Sequence, residues 1–153
     1  MTYRVRVCTQ FFSDSGDIRS KDIFHQRTLL TANSFLYDRI GAGRPIYIPN
    51  YILKDTKLPD KVPLYLGHGN KMLVLGNVTH LNYDSLSKSI KGDLEINERW
   101  NSLVLDKYRE GVNGLSVEFR SLEERKKLYN NVLDLKLQCV CIVDRPADHN
   151  SRI

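Results

Sequence analysis

Residues Val112-Asn113-Gly114-Leu115-Ser116-Val117-Glu118-Phe119-Arg120 set Val117 and Phe119 on one side of an extended chain and Ser116 and Glu118 on the other. This is the two-residue period of a strand with one face on a core, and it points Ser116 away from the Val117 side. Upstream, Leu103, Val104 and Tyr108 follow Trp100 at spacings of three, four and eight, which describes one face of a helix. Asn97 offers its cap and Gly111 its stop. Downstream, Ser121 and Glu124 have capping-box spacing and predict a short helix from Ser121 through Tyr129. Val132 to Val143 is the last apolar stretch, ended by Asp144-Arg145-Pro146.

Further towards the N-terminus, Val62-Pro63-Leu64-Tyr65-Leu66 predicts a short strand running straight into Gly67-His68-Gly69-Asn70. Met72 to Leu81 predicts the returning strand, interrupted at Gly76-Asn77 by a bulge or bend, so His68 falls on a hairpin-like turn. Ser89 to Ile96 predicts another strand. At the start, Tyr3, Val5, Val7 and Thr9 alternate with Arg4, Arg6 and Cys8, the pattern of a half-buried strand. Residues 22–40 fit neither period. Gly41-Ala42-Gly43-Arg44-Pro45 punctuates the chain, Ile46 to Ile48 is short and extended, and Pro49 to Pro59 reads as an irregular connection. About seven short strands with one or two helices predict a single α+β domain over residues 1–153, built on a mainly antiparallel sheet or barrel.

The 153 residues suffice for one core, and 41% hydrophobic with 27% charged residues is an ordinary globular composition. A formal charge of +5 is spread along the chain. Its densest cluster, Arg125-Lys126-Lys127, follows Glu123 and Glu124 and reads as a solvated helical face rather than a nucleic-acid patch. The start lacks the apolar stretch of a secretory signal, and no apolar run approaches the ~18 residues of a membrane span, so a cytosolic protein is expected. Cys8, Cys139 and Cys141 are odd in number and lack CxxC spacing, which argues for reduced thiols rather than disulfides or zinc. Cys139 and Cys141 lie two apart and share a strand face. With no phosphate loop, metal-ligand cluster or nucleotide fingerprint, neither a cofactor nor a metal is expected.

Two segments carry candidate chemistry. Glycines on both sides of His68 let the backbone turn tightly and leave an imidazole accessible, and Gly114 before Ser116 admits a substrate backbone close to the hydroxyl. A serine and a histidine are the two parts of an activated nucleophile. Each also has a plain structural reading, an exposed turn histidine and a strand serine bonded to nearby backbone.

Four segments occur in a telling order: Val62-Pro63-Leu64-Tyr65-Leu66-Gly67-His68, Gly76-Asn77-Val78-Thr79, Gly114-Leu115-Ser116-Val117-Glu118-Phe119, and Val140-Cys141-Ile142-Val143-Asp144-Arg145-Pro146-Ala147-Asp148. From Val62 to the C-terminus the chain resembles the prohead (capsid maturation) proteases of tailed phages, which share the herpesvirus assemblin fold. The resemblance implies a serine endopeptidase that cleaves scaffolding protein, or the scaffold-like segment of the capsid protein, inside an immature shell in the host cytoplasm. Ser116 would be the nucleophile and His68 the general base. It further implies capsid and scaffolding proteins as partners, homo-oligomers and autoprocessing. Arg145 becomes the candidate for the oxyanion region, with an ion pair to Asp144 or Asp148 as its alternative role.

The chain departs from the family at the third member, an acid or histidine at the start of the last core strand, where it has Cys139. A neutral thiol stabilises an imidazolium poorly, and loss of the acid in a serine-protease triad costs roughly 10⁴-fold in rate, about 5 kcal/mol. Cys139 as a thiolate, a displaced partner among His80, Asp144 and His149, or a Ser116–His68 dyad are the alternatives. His80 is attractive because its strand returns from the His68 turn. Glu118 is a second departure, placing a carboxylate where a small residue is common. Two other functions remain open: a protease-fold assembly factor that binds without cutting, and a small basic nucleic-acid-binding barrel motivated by the net charge, Arg4, Arg6 and tyrosines.

Overall fold

The alternation around Ser116 is realised in a strand that lies one in from the edge of one large sheet. The computed structural model describes residues 3–11, 24–37, 44–67 and 73–143. In chain order the strands are β1 (Tyr3–Phe11), β2 (Arg27–Thr31), β3 (Phe35–Leu36), β4 (Ile46–Tyr47), β5 (Lys61–Leu66), β6 (Leu73–Asp84), β7 (Ser89–Ile96), β8 (Gly114–Arg125) and β9 (Asn130–Val143). Helix α1 (Asn50–Asp55) precedes β5, and a 3-10 turn (Glu98–Trp100) leads into α2 (Asn101–Arg109) between β7 and β8. The sheet order is β1-β8-β9-β5-β6-β7-β2, with β3 paired to β4 and β4 to β9. Pairing is antiparallel except where β9 meets β4 and β5. The protein is thus mostly β with a few short helices, and its sheet curls into a half-barrel.

The concave face holds the core. Leu115, Val117 and Phe119 of β8 meet Leu135, Val140 and Ile142 of β9, Leu64 of β5, Leu75 and Val78 of β6, and Leu29 and Leu30 of β2 in one buried cluster. Burial of such side chains contributes about 1.5–3 kcal/mol each and is the main force closing the sheet. Gly76 is needed where β6 bulges: the register with β5 slips between Leu64 and Tyr65, opposite Gly76 and Val74. A Cβ at Gly76 would lie 2.0 Å from the Glu95 carbonyl oxygen of β7, so only glycine fits.

Several local expectations are corrected. Ser121 to Arg125 is the continuation of β8, not the start of a helix, because Ser121 is locked in register between Arg4 of β1 and Leu135 of β9. The Ser121 hydroxyl donates to the Glu123 carboxylate instead of capping. The connection after Pro49 contains α1, whose first turn closes when the Ile52 and Leu53 amides donate to the Pro49 carbonyl, and Leu53 anchors it in the core. Asn97 starts the helical segment through its backbone, its carbonyl accepting from the Trp100 amide, with no side-chain cap. Gly111 ends that segment at φ +96°, as its position predicts. In β1 the inward side is that of Arg6 and Cys8, while Tyr3 and Val5 are exposed. Cys8 lies opposite Val117 in the core layer, and Arg6 can face inward because a carboxylate meets it there.

Candidate functional site

Ser116 stands in a transverse row fixed by four strands: Thr9 of β1, Ser116 of β8, Cys141 of β9 and Tyr65 of β5 are successive register partners. Since Leu115 and Val117 face the core, Ser116, Glu118, Cys139 and Cys141 share the opposite face. That division is the one read from the alternation in the sequence. Ser116 is nevertheless 2% exposed, and its Oγ has no hydrogen-bond partner among the described residues. A buried hydroxyl in this state forgoes about 1–3 kcal/mol of solvation.

His68 lies outside the described residues, and so do Arg145, Asp144 and His149. The backbone leading to His68 is described. The Gly67 amide donates to the Ile142 carbonyl at 3.0 Å, and Gly67 turns at φ +95°. Ile142 is the register partner of Leu115, next to Ser116. Gly67 therefore stands two strands from β8 at the same end of the sheet, roughly 10 Å across. Contact between the His68 imidazole and Ser116 requires the chain after Gly67 to turn back over β9.

Cys139 sits beside Glu118 in the next row on the same face, and its thiol donates to Glu118 Oε2 at 3.4 Å. Hydrogen bonding to the Cys141 thiol, burial, and the charges of Cys141 and Glu118 all push the Cys139 thiol far above the ordinary cysteine range. Cys139 is thus a neutral donor committed to a carboxylate, and the thiolate alternative for it does not fit these surroundings.

His80 is held elsewhere. It lies six residues along β6 from Val74, the partner of Tyr65 in the Ser116 row, which is roughly 20 Å of strand and three strands away from β8. There it adopts φ +49°, its side chain is 72% exposed, and its Nδ1 is 2.9 Å from Asp93 Oδ2. Asp93 also receives the Gln26 amide at 2.8 Å and the Gln26 side chain at 2.9 Å, with His25 Nδ1 at 3.2 Å. Burial raises the Asp93 carboxyl, but the Gln26 and histidine donors outweigh it and leave its pKa below the ordinary value. The geometry makes His80 part of a clasp joining the start of β2 to β6 and β7, not a partner of Ser116.

No family model, curated protein or solved structure matches this chain. Among the described residues no group of three or more His, Cys, Asp or Glu side chains is arranged to hold a metal ion.

Sequence reasoning missed a buried polar assembly at the other end of β8. Arg6 meets Glu123 through Nε at 2.8 Å and Nη2 at 2.7 Å, Asn130 Nδ2 donates to Glu123 Oε1 at 3.0 Å, and Ser121 donates to Oε2. The side chains of Arg6 and Glu123 are 8% and 2% exposed. The available signal was Arg6 sharing a strand face with Cys8, a residue type most often buried.

Proposed function

We propose that the chain is a serine endopeptidase of the prohead-maturation type with a herpesvirus-protease-like fold, in which Ser116 is the nucleophile and His68 its base. The observation that carries the reading is the Ser116 hydroxyl, without a hydrogen-bond partner among the described residues, on a strand whose neighbour β9 accepts a bond from the backbone amide of Gly67 just before His68. In this reading the imidazole is the missing partner. It accepts the Ser116 proton as Oγ attacks a peptide carbonyl and returns it to the leaving amine. Cys139 gives no charge stabilisation to the imidazolium, so turnover rests on a dyad and is slow. Arg145 would serve the developing oxyanion, and the substrates would be scaffolding or capsid protein within the immature shell.

A second reading is favoured by two observations: Ser116 is 2% exposed, and Cys139 is committed to Glu118. Here the chain keeps the protease fold as an assembly factor that binds capsid or scaffolding protein without cutting it.

Co-expression with the capsid and scaffolding proteins separates the two. Cleavage by the wild-type chain that disappears in both Ser116→Ala and His68→Ala, with circular dichroism unchanged, supports the peptidase. Intact substrate that co-purifies with the wild-type chain supports the assembly factor. Intact substrate that does not co-purify removes both.

A further inference from the structure

Around the buried Arg6–Glu123 pair the structure gathers three more guanidinium groups, and none of them is in an ion pair among the described residues. Both oxygens of Glu123 are already engaged, Oε1 by Arg6 Nη2 and Asn130, Oε2 by Arg6 Nε and Ser121. Arg4, Arg44, Arg125, Glu123 and Asn130 line a small, partly open cavity of about 80 Å³. Arg4 is brought there as the register partner of Ser121, and Arg125 as the partner of Asn130 where β8 turns into β9. Neither makes an ion pair among the described residues.

Arg44 arrives just ahead of β4, the strand paired with β9 at Asn130, and is fixed. Its Nε donates to Asn130 Oδ1 at 3.2 Å, and its Nη2 donates to the Lys126 and Tyr129 carbonyls at 2.5 and 3.1 Å. Its Nη1 has no partner among the described residues, so two N–H groups remain on a guanidinium whose orientation is already determined. A held guanidinium with free donors, beside two exposed ones, is an arrangement suited to gripping an oxyanion.

We propose that this cavity is a binding site for one small oxyanion, a phosphate or carboxylate group, gripped by Arg4, Arg44 and Arg125. Its volume has room for a few waters, enough for such a group and too little for a nucleoside. Asn130 shapes the floor, and Arg6 neutralises the one carboxylate that would repel the ligand. The site lies where β8 contributes Glu123 and Arg125, seven and nine residues along from Ser116, so it stands whether or not the chain is a peptidase.

Calorimetric titration with inorganic phosphate, and separately with acetate, at ionic strength held constant with sodium chloride, tests it. Saturable binding of either anion by the wild-type chain is expected, and which anion binds tells a phosphate source from a carboxylate one. Arg4→Gln/Arg125→Gln should weaken that binding by about tenfold or more while circular dichroism is unchanged. Both positions are exposed, and the Arg44 and Arg6 anchors stay in place. No saturable binding of either anion, or equal affinity in the double variant, overturns the proposal.

Discussion

Replacing Glu123 with glutamine should be among the most damaging isosteric changes in this protein. The substitution keeps the shape of the side chain but leaves the Arg6 guanidinium, 8% exposed, without its counter-charge. Two charge-assisted bonds at 2.7 and 2.8 Å are weakened together, and Asn130 and Ser121 compete for the one remaining oxygen. Breaking a buried pair from one side costs about 3–5 kcal/mol. With a urea dependence near 2 kcal/mol/M, the midpoint should fall by about 2 M. The effect also has a pH signature. Burial raises the Glu123 carboxyl, but the Arg6, Ser121 and Asn130 donors prevail and hold its pKa below the ordinary value. Its contribution is therefore complete above the unfolded value near 4.3 and is lost as pH falls through the lower folded value. The gap between wild type and Glu123→Gln should be widest at neutral pH and narrow in acid. Adding Arg6→Met to Glu123→Gln should recover part of the loss, because the unpaired cation is gone. Urea unfolding followed by circular dichroism measures all three proteins. A midpoint shift below about 0.5 M, or a further drop in the double variant, would refute the reasoning.

Gly76→Ala should destabilise by about 3 kcal/mol, since the new methyl meets backbone that cannot yield, and an unchanged thermal midpoint would contradict this. Cys139 should react with iodoacetamide more slowly than a free thiol at pH 8, and peptide mass mapping that finds it labelled as fast as glutathione would remove the neutral-thiol description. Asp93→Asn should weaken the clasp on Gln26 and His80 and speed amide exchange at the start of β2. Because the folded Asp93 pKa is lowered, the wild-type advantage should be present above the unfolded value near 3.9 and fade as pH falls below it. Equal exchange rates in the two proteins at neutral pH would show that Asp93 does not hold the segment.

The strands legible in the sequence were those with one face on the core. Ser89–Ile96 was read with its observed bounds, and β5, β6 and β9 within a few residues, because their apolar residues fall on a single side. Ser121 to Arg125 was misread for a physical reason. Ser121 and Glu124 carry a local helix signal, but in β8 a neighbour on each side satisfies the backbone, and tertiary pairing overrides the cap. The polarity of β1 was hidden in a similar way. An arginine alternating with valines is outward by composition, and only the presence of Glu123, 117 residues away, makes the inward side cheaper for it.

The candidate site divides along the same line between local and distant information. That Ser116 and Glu118 share a face, with Val117 and Phe119 on the other, follows from adjacency alone and holds in the structure. That Cys139 meets Glu118 depends on the register of β8 against β9, which local patterning does not specify. This pairing matters for any catalytic account, because the two residues that depart from the pattern of the proposed family form one unit. A carboxylate on β8 and a thiol on β9 occupy the same row and satisfy each other. An acid at position 139 would face Glu118 directly, two like charges within a strand spacing, and would be pushed towards its neutral form. The Cys139→Asp variant should therefore fail to restore triad chemistry on its own, whereas Cys139→Asp combined with Glu118→Gly should raise peptidase turnover if the Ser116–His68 dyad is the engine. Steady-state cleavage of a scaffold-derived peptide by both variants decides it, and an increase from Cys139→Asp alone would show that Glu118 does not control the charge at that position.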